Sequence, residues 1–309
     1  MNSFNINRFG QTFRWVVATN FRNFLAWTLG AGVGAFLMEM IFIALKIHPD
    51  GGNYVPLLYS SISQICQIAL VIFVLVAFST GFADYQKKPR REAFLMLPST
   101  NLEKFLAVVI YVTVVWSLAG FLAFVVGDTL RMAVRALACG NEWYSLVPIV
   151  LDHFGEMFPT FDEGGMMIQT IPYKVCAPIF LVGLLVWIHS TYILGGTLLR
   201  KYAFVVSSLV IILAFLLMAW LIYKFNLNVF YVDTLIDGQS LEALRQVGAL
   251  TDGEVPAESI QVLHKVGVLG YFFTVALPIL SIFNYWASFH IFKGFQLITN
   301  KWTNYDIYK

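Results

Sequence analysis

Charge is what this chain has least of. Lys, Arg, Asp and Glu make up 12% of its 309 residues, about half of the roughly 25% that soluble globular domains carry. The shortfall is concentrated. Six windows, 24–45, 57–83, 105–127, 175–199, 202–223 and 266–292, contain no Lys, Arg or Asp, and Glu39 is the one acid inside them. Each exceeds the ~18 to 20 apolar residues that cross a hydrocarbon core of about 30 Å. A soluble enzyme and a nucleic-acid-binding module are thereby excluded. So is a transmembrane β-barrel, whose strands alternate every second residue over about ten positions.

Cysteine is scarce as well. Cys66, Cys139 and Cys176 stand apart with no CxxC pair and no metal spacing, so neither a disulfide framework nor a zinc site is encoded, and small buried hydrophobes are expected. Residues 1–20 hold no unbroken apolar core ahead of a small-residue cleavage site, and a cleavable signal peptide is not expected. Several catalytic signatures are missing: the G-x-x-x-x-G-K-(S/T) phosphate loop, H-E-x-x-H, and the G-x-S-x-G nucleophile turn. No pair of intramembrane Asp residues could share a proton. The chain is therefore expected to have no catalytic residues, no metal site and no cofactor of its own.

What is present is apolar bulk. Hydrophobic residues make up 59% of the chain, 28 of them Phe, and the mean hydropathy is +0.73. The fold expected is an all-α integral membrane protein, a single transmembrane domain of six helices at the windows above, with outer connections at 128–174 and 224–265. Lys and Arg set its orientation, because basic loops stay on the cytoplasmic side. Thirteen of the twenty basic residues fall in the N-terminus, the 84–104 loop, the 200–201 turn and the C-terminus, beside four acids, Asp84, Glu92, Glu103 and Asp306. Both termini are expected in the cytoplasm, and the protein in the cytoplasmic (inner) membrane.

Ahead of the first window, residues 4–22 are too polar to cross and too apolar to float. Phe9, Phe13, Val16 or Val17, and Asn20 recur at helical spacing, with Trp15 among them and Arg14 and Arg22 at the flank. That pattern predicts an amphipathic helix in the membrane interface.

The longest basic loop reads Asp84-Tyr85-Gln86-Lys87-Lys88-Pro89-Arg90-Arg91-Glu92-Ala93-Phe94-Leu95-Met96-Leu97-Pro98-Ser99-Thr100-Asn101-Leu102-Glu103-Lys104-Phe105. Arg91 to Leu97 can form a short helix that Pro98 stops. Ser99 or Thr100 can cap the next helix, with Glu103 placed to serve its first turn. Exposed Phe94, Leu95, Met96 and Leu97 would be a liability unless lipid or another protein covers them.

In this segment the chain resembles the permease subunits of ATP-binding-cassette type-2 exporters. That family carries an LP-x-(S/T)-x-x-(E/K) element between the second and third spans, a short coupling helix that docks on the nucleotide-binding subunit. The positions that match are Leu97, Pro98, Ser99, Glu103 and Lys104. The resemblance implies an elbow helix at the N-terminus, six spans with both termini inside, and an ATPase in a separate chain that binds ATP and Mg. It also implies a second permease subunit and outer helices that cap the cavity before the last span. The coupling contact would fall to Phe94, Leu95, Leu97 and Pro98, oriented by Arg90, Arg91, Glu103 and Lys104. The 128–174 connection is longer than the family pattern.

Elsewhere the pattern predicts short helices at Asp128–Leu137, Leu146–Met157, Ser240–Ala249 and Ala257–Val266. Asp152, His153 and Glu156 form either a solvated acidic face or a metal-holding one. Inside the first window, Glu39 costs at least ~2.5–3.5 kcal/mol to insert as a charge. It belongs on a cavity or subunit interface, beside a partner on a neighbouring helix, or protonated near the outer surface. Gly30 and Gly34, with Ala26 and Ala31, offer a small-residue face for a second subunit. His189 and Asn284 can hydrogen bond between helices. Two rival readings stay open: a secondary transporter or channel with a proton path through Glu39 and His189, and a membrane scaffold or immunity protein that transports nothing.

Overall fold

Helix α1, Ile6–Lys46, is a single helix of 41 residues in the computed structural model, which describes residues 4–46, 55–82, 85, 88–139, 144–156, 167–199, 201–236 and 260–294. At 1.5 Å per residue it is about 60 Å long, roughly twice a hydrocarbon core. The separate helix expected at 4–22 is therefore not a separate element. It is the first half of α1, continuous with the first apolar window, because no Pro or Gly pair interrupts the run. Asn5 begins it: its Oδ1 accepts from the backbone N–H of Asn7 at 2.9 Å and Arg8 at 3.3 Å, filling two of the donors that a helix start leaves orphaned.

The elements that follow are α2 (Val55–Thr80), α3 (Lys88–Leu95), α4 (Asn101–Ile110) and, after one π-turn at Tyr111–Val115, α5 (Trp116–Cys139). Then come α6 (Val147–Glu156), β1 (Met167–Gln169), α7 (Ile171–Leu198), α8 (Ala203–Phe225), β2 (Phe230–Ile236), β3 (Ile260–Val266) and α9 (Val268–Lys293). Among the described residues six helices are long and apolar enough to cross a membrane: α1, α2, α4 through α5, α7, α8 and α9. They coincide with the six charge-poor windows. The chain is a mostly helical membrane protein.

Two local readings need correction. Asp128–Leu137 is not an isolated helix but the last part of α5, since its small and apolar residues continue the helix past the charge that seemed to end it. The stretch read as a helix at Ala257–Val266 contains strand β3. Its apolar residues recur every third position, but Ile260, Val262, His264 and Val266 also share one face at period two, and β-branched residues favour the strand. An outer capping helix is thus not found at 260–266. The Ser240–Ala249 segment lies outside the described residues. Leu146–Met157, in contrast, corresponds to α6.

The described residues divide into two compact units. The first falls within Met1–Gly155, His189–Val210 and Asn284–Lys309, the second within Glu156–Ile188 and Ile211–Phe283. The second unit contains a three-stranded sheet in the order β1, β3, β2. β3 pairs parallel with β1, Ile168 opposite Leu263, and antiparallel with β2, Asp233 also opposite Leu263. Tyr173 packs its ring against Phe230 and His264, centroids 5.5 and 5.1 Å away. Asp233 hydrogen bonds the Lys265 ammonium and holds it above its ordinary range.

In the first unit, α1 and the α4–α5 helix run side by side in the same direction, joined at both ends. Asn5 and Arg8 meet Glu103 at one end, and Glu39 meets Arg131 at the other. Between them the backbones touch. A Cβ on Gly127 would lie 2.9 Å from both Ala35 Cβ and the Gly32 carbonyl oxygen, and one on Gly32 would lie 3.3 Å from the Ala123 carbonyl. Close approach of this kind is how apolar helices gain contact in lipid, where the hydrophobic effect does not drive them together.

Candidate functional site

The basic end of the first unit is a junction between α1, the α3 segment and α4. Thr100 caps α4: its Oγ1 accepts from the Glu103 N–H at 3.2 Å while Glu103 Oε2 accepts from the Thr100 N–H at 2.8 Å. This is the reciprocal box expected from the spacing, with Thr100 rather than Ser99 as the cap. Glu103 does more than cap. Its Oε1 accepts from the Asn5 backbone at 2.8 Å and from Arg8 Nη2 at 2.9 Å, so one buried carboxylate closes two helix starts. Lys104 donates from Nζ to the Leu95 carbonyl at 2.9 Å and closes the end of α3. Both charges were expected to orient a partner; both are buried and engaged within the chain.

α3 lies with one face against α1. Phe94 is 1% exposed and Arg91 2%. The Phe94 ring sits between Trp15, Tyr85 and Phe292, with centroids at 5.8, 4.4 and 6.0 Å. Arg91 Nε donates to the Tyr85 carbonyl at 3.3 Å. Asn20 Nδ2 donates to the Tyr85 hydroxyl at 2.8 Å and Asn20 Oδ1 accepts from Arg90 Nη1 at 3.2 Å. The expected contact set is thus split. Phe94 and Arg91 belong to the chain's own core, where Phe9, Phe13, Trp15 and Leu97 also pack. Met96, at 86% exposure, and Pro98 face outward with Glu92 and Ala93, while Leu95, Leu97 and Ser99 are half-buried. Arg14 and Arg22, read as flanking an interfacial face, are exposed.

At the far end of α1 is a cluster that the sequence did not reveal. Glu39 is fully buried, and its Oε2 accepts from Arg131 Nε at 2.9 Å. Arg131 also donates from Nε to Asp128 Oδ1 at 3.1 Å and from Nη2 to Asp128 and the Tyr144 carbonyl. Asp128 Oδ2 in turn accepts from the Ser145 hydroxyl at 2.6 Å and the Leu146 N–H at 3.0 Å. This network holds the start of α6 against the ends of α1, α2 and α5. Glu39 is therefore enclosed within its own chain and bonded to a cation. Its partner is on a neighbouring helix, 92 residues away.

His189 forms a second buried polar group. Its Nε2 meets Thr113 Oγ1 at 2.8 Å and its Nδ1 meets the Tyr285 hydroxyl. Because the Thr113 hydroxyl donates to the Val109 carbonyl at 2.7 Å, Nε2 must donate and Nδ1 must accept. Thr113 lies in the π-turn, an irregularity that often marks functional positions in helices. Beside it, Asn284 Nδ2 donates to Ser190 and Thr191 at 3.1 and 3.2 Å. The hydrogen-bond partners of Glu39 and of His189 do not overlap among the described residues.

Gly30 and Gly34 border open space: a Cβ on either would have no atom within 4 Å. They lie on α1 beside a groove between α1 and α2. On α6, His153 Nδ1 meets the Ser63 hydroxyl at 3.3 Å, and Asp152 is exposed. No group of three or more His, Cys, Asp or Glu able to hold a metal occurs among the described residues.

Comparison with known proteins decides no family. The chain matches no family model, no curated protein and no solved structure. Its function must be argued from the three arrangements above, and the junction at α3 presents an exposed apolar side chain, Met96, beside a charged, tightly braced element.

Proposed function

We propose that the chain is the permease subunit of an ATP-driven exporter of the ATP-binding-cassette type-2 kind, lying in the cytoplasmic membrane with both termini inside. One observation carries the reading. α3 is braced on its inner face, through Phe94, Arg91 and Lys104, while the turn that follows it presents Met96 and Pro98. A surface-exposed methionine on a rigid element suits a partner's pocket, and an element that only joins two spans needs no such bracing.

In this reading the ATP and Mg are bound by a separate ATPase chain. Closure of the ATPase pair pushes on Glu92, Ala93, Met96 and Pro98. Glu103 passes the displacement to both α1 and α4, because its carboxylate is bonded to the start of each. The first half of α1, continuous with the first span, takes the place of a separate elbow helix and carries the brace on α3. A second permease subunit completes the transport unit. The buried Phe94 and Arg91 position the contact instead of making it.

The test is purification from native membranes in mild detergent without crosslinking. An ATPase carrying the phosphate-loop motif should co-elute in equal amount with the permease. Met96→Asp, which places a charge on an exposed position, should abolish co-elution while leaving membrane insertion and the thermal midpoint unchanged. Co-elution that survives the substitution overturns the reading.

A further inference from the structure

The buried cluster at the far end of α1 holds two carboxylates, Glu39 and Asp128, around one guanidinium, Arg131. The elements packed around it bring no second cation to either acid. α2 contributes the Tyr59 ring, 5.5 Å from the guanidinium carbon, and the Cys66 thiol. The segment ahead of α6 contributes the Tyr144 carbonyl, the Ser145 hydroxyl and the Leu146 N–H, with the Tyr144 ring against Tyr59. His153 on α6 turns to Ser63 instead. Arg135 lies one turn beyond Arg131 on α5, and among the described residues no hydrogen bond or ion pair joins it to Glu39 or Asp128. With each of these groups in its ordinary charge state, the cluster would carry one net negative charge. An unbalanced charge enclosed away from water is costly, and two carboxylates at one site are relieved when one of them takes a proton.

Hydrogen bonding decides which one. Asp128 accepts from four donors: Arg131 Nε at 3.1 Å and Arg131 Nη2 on one oxygen, the Ser145 hydroxyl at 2.6 Å and the Leu146 N–H at 3.0 Å on the other. Glu39 has one such donor, Arg131 Nε at 2.9 Å on Oε2, and that N–H is shared with Asp128. Its other oxygen, Oε1, meets only the Cys66 thiol, 3.9 Å away. Donors stabilise the ionised form of the carboxylate they reach. The charge therefore stays on Asp128, and Oε1 of Glu39 is the oxygen left for a proton.

We infer that Glu39, Asp128 and Arg131 form a buried proton-binding site, with one proton on Glu39 Oε1, directed at the Cys66 sulfur, and the ion pair made by Asp128 and Arg131. Thiol sulfur is a weak acceptor, so the proton is held by the charge balance of the cluster more than by its own hydrogen bond. It is also part of the packing. The neutral acid lets α1 and α5 stay close where Gly32 and Gly127 bring their backbones together, and losing the proton sets a second anion against the same guanidinium. The site stands apart from the exporter reading. It requires neither an ATPase nor transport.

Infrared spectroscopy of the full chain in lipid nanodiscs at neutral pH tests it. The wild type should show a carboxylic acid C=O band that moves when glutamate carries a carbon-13 carboxyl and stays in place when aspartate does. Glu39→Gln should lose the band and keep the wild-type thermal midpoint, because an amide replaces a neutral acid of the same shape. Asp128→Asn should lose the band too, since Glu39 then gives up its proton and pairs alone with Arg131. At a pH alkaline enough to remove the band, hydrogen exchange over residues 36–43 should be faster in the wild type than in Glu39→Gln. The wild-type spectra can overturn the assignment without any variant: no acid band, or a band that moves with the aspartate label, does so. A glutamate band that persists in Glu39→Gln puts the proton elsewhere, and one that persists in Asp128→Asn contradicts the charge balance.

Discussion

Glu39 and Arg131 meet at 2.9 Å with neither side chain exposed, and Asp128 takes the same guanidinium through Nε and Nη2. Two carboxylates share one cation, whose Nη1 has no partner among the described residues and whose guanidinium carbon lies 5.5 Å from the Tyr59 ring centroid. Removing one member of a buried ion pair strands the others and costs about 3–5 kcal/mol, whereas replacing all of them with apolar residues is often neutral. Arg131→Met should therefore lower the thermal midpoint sharply in detergent. The triple variant Glu39→Met, Asp128→Leu, Arg131→Met should recover much of the loss, less whatever Asp128 contributes through Ser145 and Leu146.

A smaller effect is expected at the other end of α1. Thr100→Ala removes the cap on α4 and should cost about 1 kcal/mol, read as faster hydrogen exchange at the Glu103 amide. Glu103→Gln should reach further, because hydrogen bonds to a charged group are worth about 1.5–3 kcal/mol. Exchange should then rise at Asn5 as well as at Thr100, two positions 95 residues apart. Protection at Asn5 that does not change would mean that the two helix starts are not coupled through this carboxylate.

Glycine substitutions on the paired helices should differ in sign. Gly127→Ala forces a Cβ into Ala35 and the Gly32 backbone and should destabilise by about 1–3 kcal/mol. Gly30→Ala and Gly34→Ala meet no atom and should be neutral or stabilising by up to about 1 kcal/mol. Thermal midpoints in one detergent decide it, and equal losses at positions 30 and 127 would contradict the packing described.

The hydrogen bonds of His189 predict coupling without charge. In a double-mutant cycle, His189→Phe and Tyr285→Phe should each destabilise, and their effects should fall short of additive by about 1 kcal/mol. Strict additivity would mean that the two side chains do not depend on each other.

The six spans were legible because lipid excludes charge, and a window of twenty residues without Lys, Arg or Asp has few other uses. The Thr100 and Glu103 box was legible because it is local. Arg131 was not, since it lies beyond the third charge-free window and its partner is 92 residues away, where no periodicity links them. The same distance hid the fate of Phe94. Its apolar neighbours suggested an exposed contact, but the aromatic face of α1, spaced for an interface, covers it instead. Strand β3 failed for a different reason: over seven residues, periods of two and three fit nearly the same apolar positions. Gly30 and Gly34 were recognised as a small-residue face, and what borders that face depended on how α2 leans, which no sequence pattern encodes.

Site-specific photocrosslinking tests the proposed role of α3 most directly. A photoreactive residue at Met96, on the exposed edge, should capture a chain identified by mass spectrometry as an ATPase with a phosphate-loop motif, and the same residue at Phe94 should capture none. No ATPase adduct at position 96, or capture only from position 94, would contradict the account.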